Sequence, residues 1–551
     1  MLFRQFWRSP RFLFILGFTL YGFVFFKNAW VSDDAYILFR SLDQLLSGHG
    51  PRWNPHERVQ VFTCPLWYWL LAGMGWLHRN HYLNSIILSA ICNVLLLWNL
   101  HKIFTSPPRW LLAVLILVFS QAYFDFTSSG LENPLVYCLL SFIARFYLDE
   151  QLPEKQKLLR IGITIGLLLV TRHDAALFVL PLLAHNIIRY RQQSMPMLFA
   201  ALLPLAVWTL FSLIYYGFPF PNTAYAKLSA VIPREFLLQR GITYFSTSLL
   251  RDFISLAILT AGLLIGMFNK RTTLRCLTLG VLLHLAYVVW IGGDFMRGRF
   301  FGWDYLLCVI LLLQWRVHYR VIAIGFAAVA SISWFFWTPP LATPAHWGAE
   351  PFRMGDSADG VTQERYFFFW FTRFTRYLQR GDEGIHDFGW CQDGNEQRNQ
   401  GIAVAASHTV GMHGFCLGTE GKMVDLLGIT DPLLARMPHN PAQKNWRAGH
   451  FLRVVPEGYC SSVLHNSNEI VDPVIARYYD SLRLITQSEP LFSKERLQAI
   501  WQINTGAFNE ELTTARAHLL SQPTQTASNL SSCPFVVLPD AVIERLRNPK
   551  P

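Results

Sequence analysis

The sequence predicts a polytopic α-helical membrane protein, with about eleven transmembrane helices and a C-terminal α/β domain outside the membrane. Of the 551 residues, 52% are hydrophobic and only 15% are charged, whereas soluble domains carry about 25% charged residues. Apolar runs that could span a bilayer recur over residues 1–340 and are absent from 341–551. One alternate set of the connections between these runs is basic throughout, as the positive-inside rule expects.

The first apolar run predicts a retained span rather than a cleaved signal peptide. Residues 12–30 are too long for the apolar region of a signal peptide, and they lack a small-residue cleavage site. Arg4, Arg8 and Arg11 precede the run, so we expect a cytoplasmic N-terminus. Several later runs are shorter than the ~20 residues of a straight transmembrane helix, and 160–188 could be a broken pair. The further candidate spans are 82–100, 110–124, 133–148, 160–171, 175–188, 196–215, 253–268, 275–291, 301–315 and 321–338.

The charges of the connections orient these spans. Lys or Arg occurs in every member of one alternate set, which therefore faces the cytoplasm. The members of this set are 101–109, 149–160, 189–194, 269–276 and 316–320. The unusual polar motifs lie in the opposite set, which we expect on the outer face, away from the cytoplasm. An odd number of spans places the tail from about residue 340 on the same face.

The first outer loop, residues 31–81, opens with two adjacent acids, Asp33 and Asp34. Ionised groups beside hydrocarbon are costly and usually mark function. Leucines over 38–46 share one helical face and polar residues share the other, which predicts a short helix lying in the membrane interface. The N-terminus of that helix would favour the carboxylate form of both acids. The Trp-rich stretch 64–77 predicts a second interfacial or re-entrant helix.

The tail, residues 341–551, mixes polar and apolar sequence. Residues 401–415 are typical of a strand-turn-strand region, and residues 471–485 and 493–504 are typical of helices.

Four cysteines in the tail suggest two disulfides in an oxidising compartment, with three possible pairings; four unpaired thiols are the alternative. No CxxC pair occurs, so we expect no metal centre in the tail. The cysteines are Cys391, Cys416, Cys460 and Cys533.

An ordered series of motifs carries a resemblance to a known family. The motifs are DDAYI (33–37), GHG (48–50), ERV (57–59), PLW (65–67), SSGLENPL (128–135), TRHDA (171–175), YGFPFPNTAYAK (216–227), GGDFMRGRF (292–300), VDLLGITDPLLAR (424–436) and RAGH (447–450). Because these motifs occur in this order along the chain, the chain resembles a branch of the GT-C integral membrane glycosyltransferases. That branch includes the mycobacterial terminal arabinofuranosyltransferase and Gram-negative homologues named for flagellar motor control (ZomB-like).

The resemblance implies a reaction at the periplasmic face of the bacterial inner membrane. A sugar, for example a pentofuranose such as arabinofuranose, would move from a polyprenyl-phosphate donor to a glycan, lipid or protein of the cell envelope. Inverting transfer needs a base for the acceptor hydroxyl, cations for the leaving phosphate and an apolar groove for the lipid. Membrane lipids are the other expected partners, and we expect no nucleic acid.

The resemblance also implies that an acid of the first outer loop is the base. Asp33 and Asp34 are the candidates, and we favour Asp33 slightly; its neighbour could orient it. The pair could instead hold a divalent cation, Mg²⁺ or Mn²⁺. A third interpretation is a helix N-cap, a position where Asp is preferred.

Cations on the outer face are the candidates for binding the donor phosphate. We expect Arg172, Arg297 and Arg299 there, with Lys227 and Arg58 behind them, because a guanidinium forks onto phosphate oxygens. Lipid headgroup contacts or structural ion pairs are the alternative.

The candidates for contacts with the sugar or the acceptor are Tyr36, Glu132, Asp174, Asp294 and Asn222. For these residues the alternative role is a solvated helix cap or an interfacial anchor.

Two other functions are compatible with a polytopic membrane protein. A transporter usually places ionisable residues in mid-membrane, often in inverted repeats, whereas here the charged motifs lie at one face and no repeat is visible. A non-enzymatic factor for motility or envelope assembly could keep the same fold. Such a factor should tolerate Asp33→Asn and Asp34→Asn, whereas a transferase should not.

Overall fold

The computed structural model describes residues 10–230, 232–336, 338–344, 346–349, 360–441, 443, 446–521 and 536–537. The helices of the first part of the chain are α1 (Pro10–Asn28), α2 (Asp33–Leu46), α3 (Pro65–Leu77), α4 (His81–Ile103), α5 (Pro107–Phe119), α6 (Gln121–Phe124), α7 (Asn133–Leu148), α8 (Glu154–Thr171), α9 (Ala176–Tyr190), α10 (Met195–Tyr215), α11 (Asn222–Leu228), α12 (Arg234–Arg251), α13 (Phe253–Met267), α14 (Thr272–Trp290), α15 (Phe301–Leu313) and α16 (Tyr319–Phe336).

The tail adds further helices and three short strands. They are α17 (Glu364–Thr372), α18 (Phe374–Arg380), α19 (Gly389–Asn399), β1 (Val404–Ser407), α20 (Met412–Leu417), β2 (Lys422–Asp425), α21 (Tyr459–His465), α22 (Pro473–Gln487), α23 (Lys494–Asn504), α24 (Asn509–Leu520) and β3 (Val536–Val537). Short 3₁₀ turns occur at His173–Ala175, Arg191–Ser194, Pro340–Ala342, Ile385–Asp387 and Leu434–Arg436.

Helices occur at every predicted span. Over the described residues, five helical stretches are long and apolar enough to cross a membrane, or six if the bent pair α12–α13 forms one span. The shorter helices α5, α7 and α15 are apolar as well. The chain is therefore a multi-pass helical membrane protein, and the count of eleven spans stays a prediction.

Glycines bring several of these helices into backbone contact. A Cβ atom at Gly162 of α8 would lie 2.4 Å from the carbonyl oxygen of Met197 on α10. A Cβ at Gly280 of α14 would lie equally close, 2.4 Å, to the carbonyl oxygen of Phe178 on α9. Small residues at such crossings let helices approach closely within a membrane, where packing rather than the hydrophobic effect drives association.

The sequence TRHDA forms a break between two helices. α8 ends at Thr171, Arg172 adopts an extended conformation, and a 3₁₀ turn leads into α9. The break agrees with the interruption predicted within residues 160–188. It also places the side chains of Arg172 and Asp174 at a helix end, where they can reach neighbouring loops.

Helix α2 begins at Asp33. The amphipathic pattern predicts that its polar side faces water, but in the structure Arg40 and Gln44 on that side are buried. The tail covers this side. Arg40 is only 1% exposed, because its guanidinium donates to the carbonyls of Gly414 at 2.9 Å and Gly421 at 2.6 Å. The same guanidinium lies 4.2 Å from the ring centroid of Trp53. The interfacial interpretation is thus wrong for this face of α2, which is an internal contact with α20.

The described tail combines helices with a small parallel sheet in the order β2-β1-β3. β1 pairs with β2 from Val404 opposite Lys422 to Ser407 opposite Asp425. The predicted strand-turn-strand at 401–415 is correct only in its first half, since α20 follows β1. Two parallel strands need a crossover connection rather than a tight turn, and α20 is part of that crossover.

One disulfide joins Cys391 of α19 to Cys416 of α20. Cys460 is also disulfide-bonded, and Cys533 lies outside the described residues. The first bridge fixes α20 to α19, so the helix that packs on α2 is itself anchored.

We predict that Gly280→Ala destabilises the protein and that Gly325→Ala does not. An added methyl at Gly280 would collide with the backbone of α9, whereas a Cβ at Gly325 of α16 meets nothing within 4 Å. Without a collision, alanine favours a helix over glycine by about 1 kcal/mol. Thermal unfolding in detergent should give a lower midpoint for Gly280→Ala only; equal midpoints would contradict the close helix crossing.

Candidate active site

A cavity of about 170 Å³ lies where the predicted outer-face loops meet the tail. Its polar wall combines residues from α2, the loop before α7, the break after α8, α11, the loop before α15 and one turn of the tail. These residues are Asp34, Glu132, Arg172, Lys227, Asp294, Arg299 and His450. Apolar side chains, among them Leu38, Phe62 and Trp67, supply much of the remaining wall. The cavity can therefore hold a ligand with both a charged and an apolar part.

Arg172 holds two carboxylates together. Its Nε and Nη2 atoms donate to the two oxygens of Asp174 at 2.9 and 2.6 Å, and Nη1 donates to Oε1 of Glu132 at 2.9 Å. Its guanidinium also lies 5.2 Å from the ring centroid of Trp303. Most of its donors are thus already used, so Arg172 frames the cavity more than it offers free hydrogen bonds.

Arg299 and Lys227 are the cations with capacity left for a ligand. The Nη2 atom of Arg299 lies 3.4 Å from Oε1 of Glu132, and Nη1 lies 3.9 Å from Asp34 and 3.8 Å from Asp294. Within the described chain, its Nε is buried without a hydrogen-bond partner. Burial lowers the pKa of the Lys227 ammonium, although the carboxylate of Asp294 opposes this shift. Arg299 thus keeps an unused donor although three carboxylates face it, and Lys227 is an ammonium that lines the cavity, so a phosphate oxygen could accept a hydrogen bond from either.

Asp34 is the acid of the pair that borders the cavity. Its side chain keeps 30% of its surface exposed, and Arg299 is the cation facing it. Burial raises the pKa of its carboxyl to about 6; the charge of Arg299 opposes this shift and that of Asp294 adds to it. A carboxyl that titrates near neutral pH can accept a proton and later release it.

Asp33 has a different environment, because successive residues of a helix point in different directions. Its Oδ1 accepts a hydrogen bond from the backbone N–H of Met412 in the tail at 2.7 Å. Burial raises the pKa of Asp33 to about 7; the bond from Met412 opposes this shift and the charge of Asp34 adds to it. The geometry thus departs from our preference for Asp33 as base, since the tail holds Asp33 while Asp34 lines the cavity.

Arg58 and Asn222 lie away from the cavity and hold the tail. Arg58 forms an ion pair with Glu489 at 2.7 Å and donates to the carbonyl of Ser488 at 2.6 Å. The amide nitrogen of Asn222 donates to three backbone carbonyls of residues 428–431 at 3.0 Å each. Their polar atoms are engaged in joining the membrane part to the tail, so neither contacts the ligand space of this cavity.

Tyr36 and Arg297 are also displaced from their expected roles. Tyr36 is fully buried, with its ring centroid 5.2 Å from that of Phe39 and 5.3 Å from that of Phe415. Arg297 borders a separate small cavity together with Asp125 and Asp252. In GDFMRGR the two arginines are two residues apart, and the turn at Gly298 sends them to different sides.

The structure adds two residues that the sequence analysis did not select. His450 enters the cavity from the tail; its only signal was its place in the motif RAGH. Glu364, at the start of α17, is buried, and its pKa is raised well above the usual range by burial and by the charges of Asp34 and Asp33. Nothing in its local sequence marked it, because its proximity to the acid pair depends on how the tail folds back.

The sequence also allows a divalent-cation site at the acid pair. Among the described residues, the side chains whose potential ligand atoms converge are His386, Cys391 and Cys416, and two of these form a disulfide. At the acid pair itself, Asp34 faces the cation of Arg299. A divalent cation at Asp33 and Asp34 therefore stays a prediction, because the converging ligand atoms found among the described residues do not include this pair.

The fold and the cavity define a multi-pass membrane protein with a charged pocket capped by its tail. This chain is similar to two curated proteins, each a terminal β-(1→2)-arabinofuranosyltransferase. That of Mycobacterium tuberculosis is 28% identical over an alignment of 235 residues, and the match covers 38% of this chain and 37% of the relative. That of Corynebacterium glutamicum is 26% identical over an alignment of 340 residues, and the match covers 49% of this chain and 46% of the relative. The chain thus spans less than half the length of either relative.

These similarities confirm the resemblance to the arabinofuranosyltransferase branch; the relatives' names say nothing of flagellar motor control. No family model matches the chain. Two crystal structures of ArnT from Cupriavidus metallidurans each align with 76% of this chain and 86% of their own. The one bound to undecaprenyl phosphate has a TM-score of 0.45 and 12% identity, and the apo one has a TM-score of 0.47 and 14% identity.

We predict that Gly411→Ala disrupts the contact between the tail and α2. A Cβ atom at Gly411 would lie 2.2 Å from the carbonyl oxygen of Asp33 and 2.5 Å from its carboxyl carbon. Overpacking of this kind typically costs about 1–3 kcal/mol. Gly389→Ala is the matched control, since a Cβ there meets nothing within 4 Å. Hydrogen exchange over residues 405–417 should accelerate in Gly411→Ala alone; unchanged exchange would contradict this contact.

Proposed function

We propose that the protein is a membrane glycosyltransferase that moves a sugar from a polyprenyl-phosphate donor to a cell-envelope acceptor, with Asp34 as base. The observation that carries the proposal is the cavity itself. It joins an acid whose pKa lies near 6 to two cations, Lys227 and Arg299, beside an apolar wall. The similarity to named arabinofuranosyltransferases supports the same reaction class.

The chemistry follows from these groups. The oxygen of an acceptor hydroxyl attacks the anomeric carbon of the donor sugar, and its proton passes to the carboxylate of Asp34. The bond between the anomeric carbon and the phosphate oxygen breaks, and polyprenyl phosphate leaves with the bonding electron pair. Attack from the side opposite the phosphate inverts the anomeric configuration.

The leaving phosphate is assigned to Lys227 and Arg299. Charge that develops on the phosphate oxygens is stabilised most by cations fixed in advance within a poorly solvated site. The Nε of Arg299 has no protein partner among the described residues, so a phosphate oxygen could accept its hydrogen bond. Arg172, most of whose donors are bonded to Asp174 and Glu132, forms with them the cavity wall beside Arg299.

Asp33 takes the orienting role in this proposal. The hydrogen bond from Met412 fixes its carboxylate at the N-terminus of α2, and this fixes the direction of the next side chain. The tail thus acts on the base through its neighbour, which gives the tail a part in the reaction without contact with the reacting atoms.

The cellular setting of the proposal is the bacterial inner membrane, with the cavity and tail at the periplasmic face. Arabinofuranose is the first donor sugar to test, because both curated relatives are named for its transfer. The acceptor would be a glycan, lipid or protein of the envelope.

We predict that Asp34→Asn abolishes transfer in purified protein. A positioned general base contributes about 10²–10⁴-fold to rate, so the variant should lose at least a hundredfold of activity. The measurement is release of free polyprenyl phosphate from a panel of polyprenyl-phosphate sugars, with cell-envelope extract as acceptor. Asp33→Asn should lose less, and Asp480→Asn, which changes an exposed acid of α22, should lose nothing.

Two results of this assay would contradict the proposal. Wild-type protein that releases polyprenyl phosphate from no donor would refute a transferase. Full activity of Asp34→Asn would remove this residue as base, and full rescue of a null strain by both Asp33→Asn and Asp34→Asn would point to a structural membrane factor.

We predict that kcat/KM rises with pH and levels off above an apparent pKa of about 6. Protonated Asp34 cannot accept the acceptor's proton, and burial raises its pKa to about 6, so activity is lost as the pH falls below that value. Asp294→Asn should move the midpoint to lower pH, because the charge of Asp294 helps to raise the pKa of Asp34. A profile that is flat between pH 5 and 8 would exclude Asp34 as the titrating base.

A further inference from the structure

The tail places one side chain in the cavity that the proposed mechanism does not use. Ala448, Gly449 and His450 form a turn, and all three residues line the cavity. Gly449 has a φ of +83°, which favours glycine, and a Cβ there would lie 3.2 Å from Cε of Lys227. The turn therefore sets His450 beside a cation assigned to the donor phosphate.

The position of His450 is set by a ring contact and by hydrogen bonds of its backbone. It packs edge-on against Phe295, another lining residue, with the ring centroids 4.2 Å apart. Its backbone N–H donates to the carbonyl of Arg447 at 2.9 Å, and its own carbonyl accepts from the side chain of Gln443 at 3.1 Å. The ring is thus positioned before any ligand binds.

The imidazole of His450 is uncharged near neutral pH. Burial lowers its pKa to about 3, and the positive charges of Arg447 and Lys227 lower it further, against an opposing contact with the carbonyl of Ala448. A neutral imidazole carries one N–H donor and one lone-pair acceptor. It therefore offers directional hydrogen bonds without adding charge to the phosphate site.

The two ring nitrogens of His450 have different surroundings. Nδ1 is buried within the described part of the chain, whereas the residue as a whole lines the cavity. A hydroxyl group both donates and accepts hydrogen bonds, so Nε2 can bind a sugar hydroxyl in either tautomer of the ring.

We propose that His450 binds a hydroxyl group of the donor sugar through Nε2 and thereby helps to select the donor. The inference rests on the proposed function. The sugar is bonded directly to the phosphate, so a phosphate at Lys227 and Arg299 brings the sugar hydroxyls next to the turn that carries His450. A neutral imidazole nitrogen suits a hydroxyl group, whereas a phosphate is bound more strongly by charged donors.

The test couples a change in the protein to a change in the sugar. Full-length wild type, His450→Ala and His450→Gln are compared by kcat/KM for polyprenyl-phosphate arabinofuranose and its 2-, 3- and 5-deoxy analogues. Wild type should lose about tenfold for one analogue, and in His450→Ala that loss should disappear. His450→Gln should keep most of it, because its amide nitrogen reaches a position close to that of Nε2. His465→Ala, in an exposed tail residue, should behave as wild type.

Each other outcome overturns the inference for a different reason. An equal loss for all donors in His450→Ala would mean a purely structural role. A shift of the pH profile in that variant would mean that His450 itself titrates. If His450→Ala does not fold, the comparison passes to His450→Asn, whose shorter amide should lose the hydroxyl preference that His450→Gln keeps. Absence of turnover of any polyprenyl-phosphate sugar by the wild type would refute the proposed function, and this inference with it.

Discussion

The ion pairs of Glu132 with Arg172 and Arg299 are the interaction on which the rest of the cavity depends. They join three segments that are far apart in the chain: the loop before α7, the break after α8 and the loop before α15. Removal of one partner from a buried pair costs about 3–5 kcal/mol, because the other charge is left uncompensated. Loops that carry such charges are therefore constrained to meet. The space left between them is the cavity.

The second constraint is the cover that the tail provides. Arg40 and Asp33, on α2, are both bonded to backbone groups of residues 411–421. The disulfide between Cys391 and Cys416 anchors the same segment to α19. A buried guanidinium and a partly buried carboxyl, each needing partners, thus specify where the tail docks. This docking separates the two adjacent acids into one that faces the ligand and one that faces the protein.

The sequence predicted those features that depend on local pattern. Apolar runs located the helices, and the motifs around Glu132, Arg172, Lys227, Asp294 and Arg299 identified most of the charged wall, because each motif interrupts an apolar run at a helix end. Features that depend on long-range packing were not predictable. Tyr36 belongs to the DDAYI motif but packs inward against Phe415. Arg58 bonds to Glu489 and to the carbonyl of Ile485, at the end of α22.

The contact between Met412 and Asp33 joins residues 379 positions apart, and this separation has a consequence for the order of synthesis. Ribosomes add roughly 5–20 residues per second, so on the order of half a minute separates the appearance of the acid pair from that of its tail partner. During that time the membrane helices can insert with α2 uncovered. A nascent or truncated chain without residue 412 would thus hold Lys227 and Arg299 but not the fixed acid, and the contact with Asp33 forms only after this part of the tail has been made.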